Sequence, residues 1–356
     1  MSKIFITGMG NISPQKTWGG APLLSEVTEH IHERLTCVEP DYTQWFDPRQ
    51  LRRMSRVLKM GVAAGSIALK EANIAIPDAI ITGTGYGCLE DTGIFLSKMV
   101  ENKEEALNPT PFIQSTHNTI GSLIALMLQC QGYNQTYTQG AFSFENSLLD
   151  ALLMVKEEPA LKVLVGGVDE ITDYSHTIQK RFGKFRERSE SNLNLYKTED
   201  GALNGEGAAY FVLSGEKSDK SAVSMEFVGT FYKADAETLQ SGINDLLQQA
   251  GLTTKDIDFV LLGNSGDQHN DKALQDHASV LFSKSSTGAF KHLCGEHPVA
   301  SAFAFWLGVK MLQEQTIPSS VILKNANRSL NNVLIYNQYF GTHHSFILLK
   351  SCRDSG

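Results

Sequence analysis

The chain has 356 residues, with 31 Lys and Arg against 39 Asp and Glu, and a formal net charge of −8. An apolar share of 42% and a charged share of 20% describe a folded protein with a substantial core, not a disordered chain. The acidic balance argues against nucleic acid as a partner, because phosphates demand clustered Lys and Arg. Five scattered cysteines do not make a disulfide scaffold. No apolar run reaches the ~18 residues of a membrane span. The start, from Met1 to Gly10, reads as a strand and turn rather than a signal peptide, so a cytoplasmic protein is expected.

The chain alternates short β-branched runs with helical stretches. Ile4 to Thr7 predicts a strand entering a glycine turn. Gln50 to Ala72 predicts one long helix, with Met54, Val57, Leu58, Gly61, Gly65, Ala68 and Leu69 on one face. Ala79 to Thr82 is a second strand, followed by a turn with Gly83, Gly85 and Gly87. Glu101 to Glu105 reads as a solvated helix face, and Gly121 to Cys130 as a compact apolar helix. Leu161 to Val165 is a strand closed by Gly166-Gly167. Arg181 to Asp200 is the most polar long stretch and reads as a surface excursion. Further strands are expected at Gly207 to Leu213 and Ile257 to Leu262, with helices at Ile243 to Ala250 and Ala300 to Leu312. This alternation predicts a layered α/β fold. Ile4 to Gly10 and Met225 to Thr230 could each open one of two duplicated halves.

Several segments, in order, resemble the β-ketoacyl synthases. Ile6-Thr7-Gly8-Met9-Gly10-Asn11-Ile12-Ser13-Pro14 is similar to their amino-terminal strand and turn. Asp200-Gly201-Ala202-Leu203-Asn204-Gly205-Glu206-Gly207-Ala208 is similar to their Asp-Gly…Gly-Glu-Gly-Ala segment. Val163 to Glu170 resembles the strand behind the nucleophile helix, and Ile243 to Leu262 the unit before the first active-site histidine. Asn118 and Gly132 to Thr136 also fit. The resemblance implies the thiolase fold, two similar halves in five layers, α-β-α-β-α. The expected halves are residues 1–215 and 216–356. It also implies a dimer with a sheet extended across the interface.

The family's chemistry needs a cysteine at a strand-to-helix elbow, where the helix amino terminus stabilises the thiolate. Two histidines then assist decarboxylation of malonyl-carrier. Aligning Gly166-Gly167 and Asp150-Ala151 puts Ala141 at the elbow, and alanine has no nucleophile. Gln139 and Ser143 flank it. Ser143 offers a hydroxyl, but Phe142 and Phe144 break a Gly-x-Ser-x-Gly elbow. Cys130 reads as core and Cys88 as structural, while Cys37, Cys294 and Cys352 have no assignable base. Gly263 stands at the first histidine position. Asp267, His269 and Asp271 follow it in what reads as a hydrated loop. Glu296 stands at the second histidine position, and a one-residue shift offers His297. Lys291 matches the family's active-site lysine; an internal ion pair, with Glu206, is its plainer reading. The carboxyl-terminal family loop becomes Tyr339-Phe340-Gly341-Thr342-His343-His344. Phe340 takes the gating aromatic's place and Tyr339 replaces a glycine, so the pocket should narrow. His343 and His344 point to opposite faces of a strand and should not share an ion. No nucleotide, flavin or metal motif stands out, so no cofactor is expected.

With nucleophile and both histidines replaced, the chain resembles a chain-length-factor subunit. Such a subunit pairs with an active ketosynthase and shapes the tunnel for the growing chain. Pro111, Phe112, Ile113, Gln114 and Asn118 are the candidate interface and tunnel residues, with Phe142 and Phe144 by the elbow and Tyr339 and Phe340 at the loop. The expected partners are a ketosynthase, or a second copy, and an acyl carrier protein. Carrier proteins are acidic, and so is this chain, which favours the partner as docking side. Three alternatives stand beside this reading: a malonyl-carrier decarboxylase, a condensing enzyme with an unusual nucleophile, and an acyl-binding homodimeric scaffold.

Overall fold

A computed structural model describes residues 3–20, 22–187, 190–197, 201–325 and 329–353. Arg188 and Asp200 lie outside the described residues.

The strands are β1 (Ile4–Ile12), β2 (Ile31–His32), β3 (Ala79–Gly83), β4 (Tyr133–Tyr137), β5 (Val163–Asp169), β6 (Glu190–Ser191), β7 (Gly207–Ser214), β8 (Val223–Tyr232), β9 (Phe259–Leu262), β10 (Ser286–Ala289), β11 (Ile322–Lys324), β12 (Asn332–Tyr339) and β13 (His343–Ser351). The helices are α1 (Pro48–Leu51), α2 (Arg56–Ala72), α3 (Leu89–Glu101), α4 (Pro109–Gln114), α5 (Thr119–Leu128), α6 (Ser143–Glu157), α7 (Asp173–Arg181), α8 (Ala236–Gln249), α9 (Gln268–Leu281), α10 (Lys291–Cys294) and α11 (Ala300–Glu314).

One strand order occurs twice. The first five long strands run β4-β3-β5-β7-β1, and the later ones run β10-β9-β12-β13-β8, with β11 added at the end. In each set the first three strands are parallel and the rest antiparallel. The sets join where β1 meets β8, with Ile4 opposite Met225.

Alternation along the strands builds the layers. Val163 and Val165 of β5, Phe211 of β7, and Val333 and Ile335 of β12 share one core with α6 and α11. Leu164, Tyr210 and Val212 face the other way, onto α2 and α5. Leu334, Tyr336, Phe346 and Leu348 face α8 and α9. The result is helix, sheet, helix, sheet, helix. The middle helix α11 is buried almost all round, from Ala300 to Leu312, because it lies between two sheets.

Four local expectations are corrected. The long helix is broken: α1 ends at Leu51, and α2 begins only after Ser55 at its amino-terminal cap. Gly8 and Gly10 are not in a turn. They lie inside β1, where a Cβ on Gly10 would sit 2.1 Å from the Ala64 carbonyl oxygen of α2. The Glu101–Glu105 cluster is not a helix face, since α3 ends at Glu101 and Lys103 and Glu104 have positive φ. The 181–200 stretch is no loose excursion: Phe185, Arg186, Asn192 and Leu195 are all buried.

Candidate functional site

At the expected elbow the structure places a tight turn that carries Ala141. Gly140, at φ +55, opens a single 3₁₀ turn that carries Ala141 into the start of α6. Ala141 is buried. Gln139 is exposed and its amide oxygen accepts from Asn146. Ser143 is fully buried, with its Oγ 2.7 Å from the Gly140 carbonyl and 3.0 Å from that of Thr84. The hydroxyl therefore pins the elbow to the glycine turn after β3. Phe144 is buried in the core, against Phe211 and Phe305. Phe142 is half-buried, with its ring 4.7 Å from that of His343.

The position expected to hold the first histidine is closed. A Cβ on Gly263 would lie 2.4 Å from Asn337 Oδ1 and 2.9 Å from Asn337 Cα. Parallel pairing of β9 with β12 brings Asn337 there. The loop beyond is a fixed cap: Asp267 accepts from Asn270 N–H, and Asp271 accepts from the N–H groups of Ser265 and Gly266.

Lys291 and Glu296 form a buried ion pair, Nζ to Oε2 2.7 Å, with side chains 0% and 1% exposed. This corrects the expected Lys291–Glu206 pair. Glu206 is taken by Arg56, whose Nη1 and Nη2 reach its two oxygens at 2.6 and 2.5 Å, while Cys37 N–H and Ile171 N–H also donate to it. Burial raises the Glu296 carboxyl to about 7, against the pull of Lys291. Lys291 also donates to the Gln338 carbonyl. Beside them His297 is buried, and burial lowers its imidazole to about 3, so it is neutral. The shifted alignment would have made it a proton carrier; a ring so hard to charge is poorly suited to that.

A chain of ring contacts runs from Phe142 through His343 to Tyr339 and Tyr86. The hydroxyls of Tyr339 and Tyr86 are 3.1 Å apart, and Gln179 Nε2 donates to Tyr86. Tyr86 is held by Asp169, which accepts from Thr84 Oγ1, Gly85 N–H and Tyr86 N–H; burial lifts the Asp169 carboxyl to about 7. Phe340 stands at φ +46, with its ring 5.8 Å from Phe185 and Lys184 Nζ 5.5 Å above it. His343 contacts Phe142 and Tyr232, whereas His344 lies by Tyr336, on the opposite face of the sheet.

Of the remaining candidates, Phe112, Ile113 and Asn118 are exposed, and Pro111 and Gln114 are half-buried. Phe112 and Ile113 are more than half exposed, and Phe112 rests on Phe95. Gln114 Nε2 donates to the Arg53 carbonyl, and Asn118 caps α5 at the surface. The apolar helix α5 buries only Ile120, Gly121 and Ile124.

Two features escape sequence reading. Glu145 is fully buried on α6, accepts from Ser345 Oγ at 2.8 Å and is raised to about 6 by burial. Its signal is a lone acid in line with Leu148 and Leu152. The second is a groove of about 660 Å³ between α3 and α7, with Leu89, Ile94, Leu96, Tyr174 and Ile178 among its walls. No local pattern joins those two helices.

Residues 31–185 match the family model described as β-ketoacyl synthase, N-terminal domain. The chain is 24% identical to 3-oxoacyl-[acyl-carrier-protein] synthase 2 of Synechocystis sp., over 91% of this chain and 88% of that protein. It is also 24% identical to the granaticin polyketide putative β-ketoacyl synthase 1 of Streptomyces violaceoruber, over 72% of this chain and 65% of the other. In three dimensions it is similar to the ishigamide ketosynthase/chain length factor, with TM-score 0.84, 19% identity and 99% and 100% of the two chains covered. It is also similar to the ketosynthase ApeO in complex with its chain length factor ApeC from Xenorhabdus doucetiae, with TM-score 0.77, 17% identity and 99% and 98% covered. The chain shares the thiolase-like fold of these ketosynthase structures, and in sequence it is similar to β-ketoacyl synthases. No helix among the described residues is long and apolar enough to cross a membrane.

Proposed function

We propose that this chain is a non-condensing, chain-length-factor-like subunit. It pairs with an active β-ketoacyl-carrier-protein synthase during fatty acid, polyketide or aryl-polyene elongation in the cytoplasm. The observation that carries this is the closure of Gly263 by Asn337. A histidine there would require β12 to move at Asn337, which supports reading the position as one without a histidine. Ala141 at the elbow and the Lys291–Glu296 pair agree with it.

The same reading accounts for an unpartnered edge. Among the described residues β4 ends the sheet and pairs only with β3. Around it Tyr133 is 44% exposed, Leu126 75%, Leu149 43% and Leu153 52%. An open strand edge beside exposed leucines favours pairing with another chain. The α3–α7 groove, of a size suited to a small ligand, supports an acyl cavity within this chain. The acidic carrier protein docks mainly on the partner subunit, because this chain is itself acidic overall.

The test is recovery of the tagged protein from its native cells at native expression, with mass spectrometry of what accompanies it. A cysteine-bearing ketosynthase in about equal amount supports the proposal. A homodimer alone overturns it in favour of the acyl-binding scaffold, and malonyl-carrier consumption by that homodimer would favour the decarboxylase.

A further inference from the structure

The floor of the α3–α7 groove holds a side chain that an alkyl chain does not need. Glu170 follows β5, lines the groove and is 2% exposed. Its Oε1 accepts the Glu90 N–H at 3.0 Å, in the first turn of α3. Arg56 also lines the groove, but its guanidinium is taken by Glu39 and Glu206. Glu170 therefore keeps hydrogen-bonding capacity for a ligand, in a wall that combines the apolar Leu89, Ile94 and Ile178 with the hydroxyls of Thr92, Thr172 and Ser175. Burial, with Glu90 and Glu206 nearby, raises its carboxyl to about 8. At neutral pH it is mostly the uncharged acid, which can donate to a carbonyl oxygen or accept from a hydroxyl.

We infer that Glu170 makes this groove selective for acyl chains that carry ketone or hydroxyl oxygens over fully saturated ones. The inference rests on the groove being an acyl cavity, as proposed above. A saturated chain seated there strips water from Glu170 and returns no hydrogen bond; an oxygenated chain restores it. This is discrimination of the kind a buried polar group exerts.

The test is calorimetric titration of the purified full-length chain with octanoyl-pantetheine and with its analogues bearing a ketone at the third, fifth or seventh carbon. The expected result is that at least one keto analogue binds about tenfold tighter than the saturated probe. Glu170→Gln, which keeps a donor, retains most of that preference. Glu170→Leu loses it while still binding the saturated probe. Gly93→Trp, filling the groove from α3, abolishes binding of every probe. Equal affinities in the unaltered chain, or a keto preference that survives in Glu170→Leu, overturn the inference and leave the groove reading standing. Binding of no probe by the unaltered chain, or binding undiminished in Gly93→Trp, overturns the groove reading itself. If Glu170→Leu does not fold, the comparison of saturated and keto probes on the unaltered chain still decides.

Discussion

Lys291 Nζ lies 2.7 Å from Glu296 Oε2, and neither side chain touches solvent. Lys291, which resembles the family's active-site lysine, is thus half of a buried ion pair, with Glu296 at the position where the resemblance expects a histidine. Removing one partner leaves a charge uncompensated in the interior. Lys291→Met should cost about 3–5 kcal/mol in urea unfolding. Replacing both, Lys291→Met with Glu296→Leu, should recover much of that loss, because apolar substitutes of similar size relieve both desolvation costs.

Glu145 gives a pH signature. Its carboxyl is raised from 4.5 to about 6 by burial. A raised native value means that the folded state binds the proton more tightly. The stabilising contribution is thus full below pH 4.5 and is lost as pH rises through 6. Glu145→Gln should be more stable than the unaltered protein by about 2 kcal/mol at pH 8, with the difference shrinking towards pH 4. Thermal unfolding across that range checks it; a difference that grows on acidification would contradict the assignment. Asp169 and Glu170, raised to about 7 and 8, push overall stability in the same direction.

Restoring chemistry should fail one residue at a time. Ala141→Cys puts a thiol at the elbow but supplies no histidine, so the isolated variant should form no condensation product. Gly263→His should be destabilised by about 3 kcal/mol, because its Cβ overlaps Asn337. Product analysis and denaturant midpoints read the two effects separately.

Association should depend on the β4 edge. Leu126→Lys and Leu153→Lys alter side chains that are 75% and 52% exposed, so the fold should tolerate both. Partner affinity should fall at least about tenfold in each. Sedimentation at several concentrations measures this, and unchanged affinity would place the interface elsewhere.

The sequence made much of the scaffold legible, and particular residues show why the rest was hidden. Strands such as Val163–Asp169 and helix α11 announce themselves through local pattern and burial. The repeated strand order is hinted at by the similar openings at Ile4 and Met225. We propose the boundary of the halves at 215/216, between β7 and β8. The break after Leu51 was obscured because Arg52, Arg53 and Met54 are all good helix formers. The partner of Lys291 was misassigned because Glu206 is claimed by Arg56, a residue 150 positions away in sequence. Phe185, Arg186 and Asn192 looked like surface because their burial depends on distant packing. At the candidate site, Ala141 and Gly263 could be placed by alignment. The closing of Gly263 by Asn337, the Tyr86–Tyr339 contact and the α3–α7 groove arise from chain crossings that no local spacing records.

The central claim is that this chain lacks condensing activity and works through a partner. Its most direct test incubates the purified protein with an acyl-carrier primer and malonyl-carrier, alone and with the ketosynthase recovered beside it, and measures elongated product. The account predicts no condensation by the chain alone and elongation only when the two proteins are combined. Condensation catalysed by the chain alone would contradict it.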